Sequence, residues 1–179
     1  MLDLIVERGF HDAPMSMLAK RSGASPGVIY HYFPSKDHLI HALYVRIKSI
    51  KLQSLFKGCV AGMSPHDAFV QVWMNAYRFY RNHLRETRFL DQYENSPYNC
   101  SPDAATTASP PPSDDPVTTE YLRLFRSRKH GGILNDLPPE VVEEISLGLA
   151  IRLAKRPKTF TRATLLQVAE TAWRAITEN

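Results

Sequence analysis

Apolar positions recur at helical spacing along most of the chain, and no stretch keeps the period of two that marks a strand. The sequence therefore predicts an all-α protein. Ile40, Leu43, Ile47 and Ile50 succeed one another at intervals of three and four on a segment running from Ser35 into the fifties. Phe69, Trp73, Ala76 and Tyr80 do the same between Ser64 and Leu84, where Ser64-Pro65 offers a capping hydroxyl followed by a proline suited to the first helical position. Toward the C-terminus Val142, Ile145, Leu149 and Leu153 form one apolar seam, and Leu165, Ala169, Ala172 and Ile176 form another. Gly148, Ala150 and Ala154 are small enough to admit a close neighbour. Two such helices from each of two subunits make an intermolecular four-helix bundle, so the eight seam residues are the candidate dimerisation surface. The same pattern fits seams closed within one protomer equally well.

Between Ser96 and Pro116 the periodicity stops and six prolines stand among Ser, Thr, Ala and Asp, which predicts a loop over 96–116. A helix is expected to resume near Val117 and to end at Gly131-Gly132, with Arg123, Arg126, Arg128, Lys129 and His130 in its last turns, where positive charge suits the helix dipole.

The N-terminal segment carries the chemistry. Met15 to Phe33 reads as two short helices separated by Ser22-Gly23-Ala24: Pro14 opens the first, Gly23 permits a tight turn, and Ser25-Pro26 restarts the chain with a cap and a proline. A helix from Pro26 to Phe33 buries Ile29 and Phe33 and leaves Gly27, Tyr30, His31 and Pro34 facing outward. This is helix-turn-helix geometry with the second helix as the reader of a DNA groove.

Charge supports that placement. The net charge is +4 over 179 residues. Seven basic residues (Arg8, Lys20, Arg21, Lys36, Arg46, Lys48, Lys51) face four acidic ones (Asp3, Glu7, Asp12, Asp37) before residue 52, so most of the excess sits where a polyanion would dock. The 44% hydrophobic and 22% charged content is that of a globular chain. No run approaches a membrane-spanning length and no secretory leader is evident, so a cytoplasmic protein without membrane contact is expected. Cys59 and Cys100 lack CxxC spacing, which points to free thiols rather than a disulfide or zinc site.

Gly9-Phe10, Leu18-Ala19, the run Gly23-Ala24-Ser25-Pro26-Gly27-Val28-Ile29-Tyr30-His31-Tyr32-Phe33, then Ser35-Lys36 and Leu39, closely resemble the signature of the TetR family of transcriptional regulators. The match is dense over residues 9–39. Looser likenesses to effector domains of such regulators occur at Arg88-Phe89-Leu90 with Tyr93 to Pro97, and at Gly132 to Pro138. The resemblance implies a three-helix DNA-binding domain over 1–45 and a helical ligand-binding and dimerisation domain over 46–179. It further implies a homodimer on a double-stranded operator, and a repressor released by a small-molecule effector. It places Ser25, Pro26, Gly27, Val28, Tyr30 and His31 at the DNA surface, with Tyr32 and Lys36 toward phosphates. Gly27 has no side chain to hold the helix off the bases, Val28 suits a thymine methyl, and His31 suits a base edge. The Tyr hydroxyls and the Lys36 cation suit phosphate oxygens.

Two departures stand out. Only Leu2 to Glu7 is available for the first helix, which leaves part of the expected head core missing through a short helix or a truncated start. Ala13 stands where the family often has a capping Ser or Thr, with Asp12 as a substitute cap. The alternative function is accordingly a TetR-like fold with impaired DNA binding that serves as a small-molecule-binding or interaction module.

Within the second domain the aromatic residues Trp73, Tyr77 and Tyr80, with Phe69, Phe89 and Tyr93, are the candidate lining of an effector pocket; as a pattern they fit plain core equally well. No phosphate loop, GxSxG, HExxH or paired-carboxylate motif occurs, so no enzyme and no cofactor are expected. His38 and His41, three apart without acidic or Cys neighbours, read as solvated rather than as metal ligands.

Overall fold

The computed structural model describes residues 1–100 and 115–178, Cys100 by its backbone alone. Along them run α1 (Leu2–Arg8), α2 (Met15–Ser22), α3 (Pro26–Tyr32), α4 (Lys36–Leu55), α5 (Pro65–Asn82), α6 (Leu84–Glu94) and α7 (Pro116–Leu124). Pro139–Glu143, Glu144–Gly148 and Leu149–Ala154 follow without a break as one helix, α8, whose middle segment has π geometry, and α9 spans Arg162–Thr177. Short 3₁₀ turns occupy Pro97–Cys100 and Arg128–His130. The described residues contain no strand, only an isolated bridge between Ser127 and Leu134, so the fold is all-α as expected.

Local chemistry accounts for the helix starts. The Ser25 side chain accepts from the Val28 N–H, Asp115 accepts from the N–H groups of Val117 and Thr118, and Thr161 accepts from the Thr164 N–H. Of the loop expected over 96–116, residues 101–114 lie outside the described chain. Its described margins are ordered differently from the expectation: Pro97–Cys100 makes a 3₁₀ turn, and Pro116 is the first residue of α7.

The helix expected to end at Gly131-Gly132 instead stops at Leu124. Beyond it the chain doubles back: Ile133 N–H donates to the Leu124 carbonyl at 3.0 Å, Leu134 N–H to Arg126 at 2.9 Å, and Arg128 N–H to Leu134 at 2.8 Å. A Cβ on Gly132 would lie 2.1 Å from the Arg126 carbonyl oxygen, so the return path closes only over a hydrogen atom. The glycine pair therefore serves a tight loop over 125–137, and only Arg123 of the basic cluster lies in the last turn of α7.

The chain forms two compact units, residues 1–50 with 83–100, and residues 51–82 with 115–178. In the first, Leu4, Ile5, Phe10, Ala13, Ile40, Tyr44 and Ile47 share one core with Phe89, Leu90 and Tyr93 of α6. Tyr44 and Tyr93 stack with centroids 3.9 Å apart, and Phe10 meets Phe89 edge-on at 6.0 Å. Short as it is, α1 packs on α6 and supplies two of the most buried side chains, Leu4 and Ile5.

In the second unit α5 is the central helix, with ten buried residues and with α8 and α9 packed against it. Ser146, Ala150 and Ala154 are the buried residues of α8, so its small side chains receive α5 of the same protomer. Leu165, Ala169, Ala172 and Ile176 are all at most 4% exposed. The α9 half of the expected dimerisation surface is thus consumed inside the protomer, because α5 supplies the apolar partner that the seam needs. On α8, Val142, Ile145 and Leu153 stay half-buried and Leu149 is exposed.

Candidate nucleic-acid interface

Two short helices and the turn between them build this surface. The C-terminus of α2 is closed by Gly23 in the left-handed region (φ 71°), whose N–H returns to the Ala19 carbonyl at 3.0 Å. Two residues on, Ser25 caps α3 and Pro26 fixes its first turn. Ile29 is the only α3 residue that the core buries. Phe33, expected beside it, is half-buried, because the backbone turns extended there and ends the helix.

Every other residue of α3 faces outward. Val28 is 51% exposed, Tyr30 50% and Tyr32 72%, which are high values for side chains of this size. Ser25, Pro26, Gly27 and His31 are exposed too. The His31 and Tyr32 rings meet edge-on at 5.3 Å. A Cβ added at Gly27 would find nothing nearer than the Ser25 hydroxyl at 4.0 Å, so no steric demand of the fold requires glycine there. The outcome is a ridge with an apolar methyl pair at Val28, three rings bearing hydrogen-bonding groups, and a flat spot at Gly27.

Lys36 is placed differently from the rest of the expected set. It is half-buried, and its ammonium donates to the backbone carbonyl of Phe10. It ties α4 to the segment after α1, and at most its remaining N–H groups face outward. The Arg21 guanidinium is also engaged, paired with Glu7 at 2.8 Å, which holds the Glu7 carboxyl below its usual range. Lys48 lies 5.2 Å from the Tyr44 ring centroid. The substitute cap at Asp12 does not form: Pro14 occupies the N-cap of α2 without a side-chain bond, and Ala13 is fully buried. His38 and His41 each have a partner, the Ser35 hydroxyl at 2.8 Å and the Tyr93 hydroxyl at 3.4 Å.

The six aromatics expected to line one effector pocket are divided between the units. Phe89 and Tyr93 belong to the core of the first, because α6 folds with the N-terminal helices. Trp73, Tyr77 and Tyr80 are 0%, 8% and 6% exposed in the second, and the Trp73 indole N–H donates to the Ser146 carbonyl at 3.1 Å. Of the six, Phe69 reaches a cavity. That cavity, about 590 Å³, lies between α5, the 125–137 loop and the first half of α8, with Val72, Leu134, Val142, Leu147 and Ile176 on its walls. Sequence reasoning missed it. The available signal was the run Gly132 to Pro138, whose glycine forces the loop back toward α9.

Known proteins resemble the chain at both ends. Residues 2–43 match the family described as bacterial regulatory proteins, tetR family, and residues 66–177 match the tetracyclin repressor-like, C-terminal domain. An HTH-type transcriptional regulator of Haemophilus influenzae is 26% identical over 186 aligned positions, covering 97% of this chain and 89% of that protein. The HTH-type transcriptional regulator BetI of Klebsiella pneumoniae is 49% identical over 41 residues, 23% of this chain and 21% of BetI. A crystal structure of a TetR-family regulator from Haemophilus influenzae superposes with a TM-score of 0.77 at 25% identity, covering 99% of this chain and 92% of that one. A TetR-family regulator from Marinobacter aquaeolei shares the fold with a TM-score of 0.82 at 16% identity, with 99% and 92% covered.

Proposed function

The chain belongs to the tetR family of bacterial regulatory proteins and is a DNA-binding transcriptional regulator; from that premise we propose that it is a homodimeric repressor that leaves its operator when a small-molecule effector binds. The observation that carries the DNA-reading part is the outward face of α3. A helix that leaves Val28, Tyr30 and Tyr32 half or more exposed gains only part of their apolar surface within the fold, and they suit a partner surface. Val28 meets a thymine methyl, His31 a base edge, and the Tyr30 and Tyr32 hydroxyls phosphate oxygens, while Ser25 and Pro26 set the helix start and Gly27 admits the groove wall. Lys36 contributes through its N–H groups not held by Phe10.

The second copy of the chain packs against the half-exposed side of α8, where Ile145, Leu149 and Leu153 remain available. Dimerisation sets the spacing of two reading helices, and a change in that spacing weakens operator binding. The family consists of regulators rather than enzymes, and this chain acts by binding alone. Among the described residues no helix is long and apolar enough to cross a membrane, which accords with action in the cytoplasm.

Gly27→Ala tests the reading helix cleanly. The added methyl meets open space in the free protein and raises helix propensity, so stability stays equal or rises by up to about 1 kcal/mol. If α3 lies against base edges, the same methyl lowers affinity for DNA upstream of the protein's own gene at least about tenfold in fluorescence anisotropy, a loss of about 1.4 kcal/mol. Unchanged DNA affinity in a variant that folds normally would sink the docking mode.

A further inference from the structure

We infer that the loop joining α8 to α9, with Arg156, Lys158 and the adjoining Arg162, is a second nucleic-acid contact, one that grips DNA phosphates without reading bases. It goes beyond the reading of α3 and uses none of the same residues. From Ile145 to Ala169 the chain carries five basic residues, Arg152, Lys155, Arg156, Lys158 and Arg162, and no acidic one, in a protein whose net charge is +4. The last four of them fall within residues 155–162 and are exposed.

Elsewhere on the surface arginines are paired, Arg21 with Glu7 and Arg85 with Asp3 at 2.8 Å, and Arg152 with Glu144 at 2.9 Å. Among the described residues no carboxylate pairs with Arg156, Lys158 or Arg162. Their mutual repulsion is relieved by a polyanion. The backbone that carries them is also held in place. The Arg81 guanidinium, in the last turn of α5, donates to the carbonyls of Ala154 at 3.2 Å and Pro157 at 3.1 Å, and to that of Arg156. A loop fixed in this way loses less freedom on binding than a free basic tail.

The polyanion is DNA, because the chain is a DNA-binding regulator whose reading unit is poor in net charge. Six basic and four acidic residues in 1–50 are joined by Arg85 and Arg88 and by Glu86, Asp91 and Glu94, which leaves residues 1–50 with 83–100 nearly neutral. Helix α3 contains neither Lys nor Arg, and Arg21 and Lys36 are engaged with Glu7 and Phe10. A large share of DNA affinity comes from neutralised phosphates. The loop supplies the cations that the reading unit lacks.

The test measures binding of the full chain to the DNA upstream of its own gene, and to a scrambled duplex of the same length, by fluorescence anisotropy across a salt series. With Arg156, Lys158 and Arg162 all changed to Gln, affinity for both duplexes falls at least about tenfold. The slope of log affinity against log salt falls by about 2.7 per protomer, three contacts at about 0.9 each. Lys158→Gln alone lowers it by about 0.9, and Arg156→Lys with Arg162→Lys keeps it. Circular dichroism stays unchanged in each, since all three side chains are exposed. Gln at Arg123, Arg126 and Lys129, three exposed cations of the same unit, removes equal charge and leaves the slope within about 1 of the wild type. A slope unmoved by the loop substitutions, or lowered equally by these others, overturns the contact. Binding to phosphatidylserine vesicles that the loop variant loses while its DNA slope stays put gives the loop to membranes and overturns it too. Relaxed sequence preference in Val28→Ala with the loop slope unmoved keeps α3 as the reader and removes the loop; the converse keeps the loop and overturns the reading of α3.

Discussion

Helices α3 and α5 stand at opposite ends of one trade. The first has seven residues, buries one, and exposes two tyrosines and a valine; the second has eighteen and buries ten. Both are rich in aromatic residues, and from pattern alone both offered binding surfaces. They differ in whether the protomer already uses those rings. On α5, Trp73, Tyr77 and Tyr80 are buried in the core of the unit, Trp73 bonded to Ser146 of α8 and Tyr80 to Lys51. On α3 the fold asks only for Ile29, and what remains is available to DNA. In the reading proposed above, function sits where packing has left side chains unclaimed.

The comparison breaks first at Trp73. Trp73→Ala removes a side chain with no exposed surface and its bond to Ser146, and should cost about 3–5 kcal/mol in a urea denaturation series. A loss below about 1 kcal/mol would mean that α5 is not the core it looks like. Val28→Ala should show the reverse profile. Stability should hold within about 0.5 kcal/mol, while affinity for the preferred DNA falls by about 1–3 kcal/mol and sequence preference relaxes at one base pair. Equal weakening on all sequences would move Val28 out of the base-reading role.

The smallest effect sharpens the α5 side. His66 near its N-terminus bonds to Glu170 of α9 at 2.8 Å and to Asp67 at 3.1 Å, and the Glu170 carboxylate above all raises the imidazole pKa. A raised folded-state value means a contribution fully present below the ordinary imidazole value of about 6.5 and lost as pH climbs through the folded value. Both side chains are more than a third exposed, so the effect stays under about 1 kcal/mol. The urea midpoint of the wild type should therefore fall between mildly acidic and mildly alkaline pH more than that of Glu170→Gln. Parallel profiles would show that the pair does not couple α5 to α9.

What could be read from the chain was local. Gly23, Ser25 and Pro26 announce the turn and the reading helix through their own conformational demands, and the structure has the helix where they put it. The α9 seam was legible as a seam, but periodicity states that a face is apolar without saying which neighbour covers it. Phe89 and Tyr93 were misplaced for the same reason: that α6 folds with α1 rather than with α5 depends on contacts some eighty residues apart in sequence. The π segment of α8 has no mark in a 3.6-residue pattern, and the Gly131-Gly132 pair reads alike as a helix stop or as a close backbone crossing.

The shared core of Phe10, Tyr44, Phe89 and Tyr93 has a bearing on heredity and engineering. A recombination that exchanged residues 1–45 with those of another regulator would separate rings that fit each other, so the reading head is not inherited as a cassette. If α3 reads the operator as proposed, preference can instead drift through its few outward side chains, one codon at a time, while the scaffold beneath them is passed on whole.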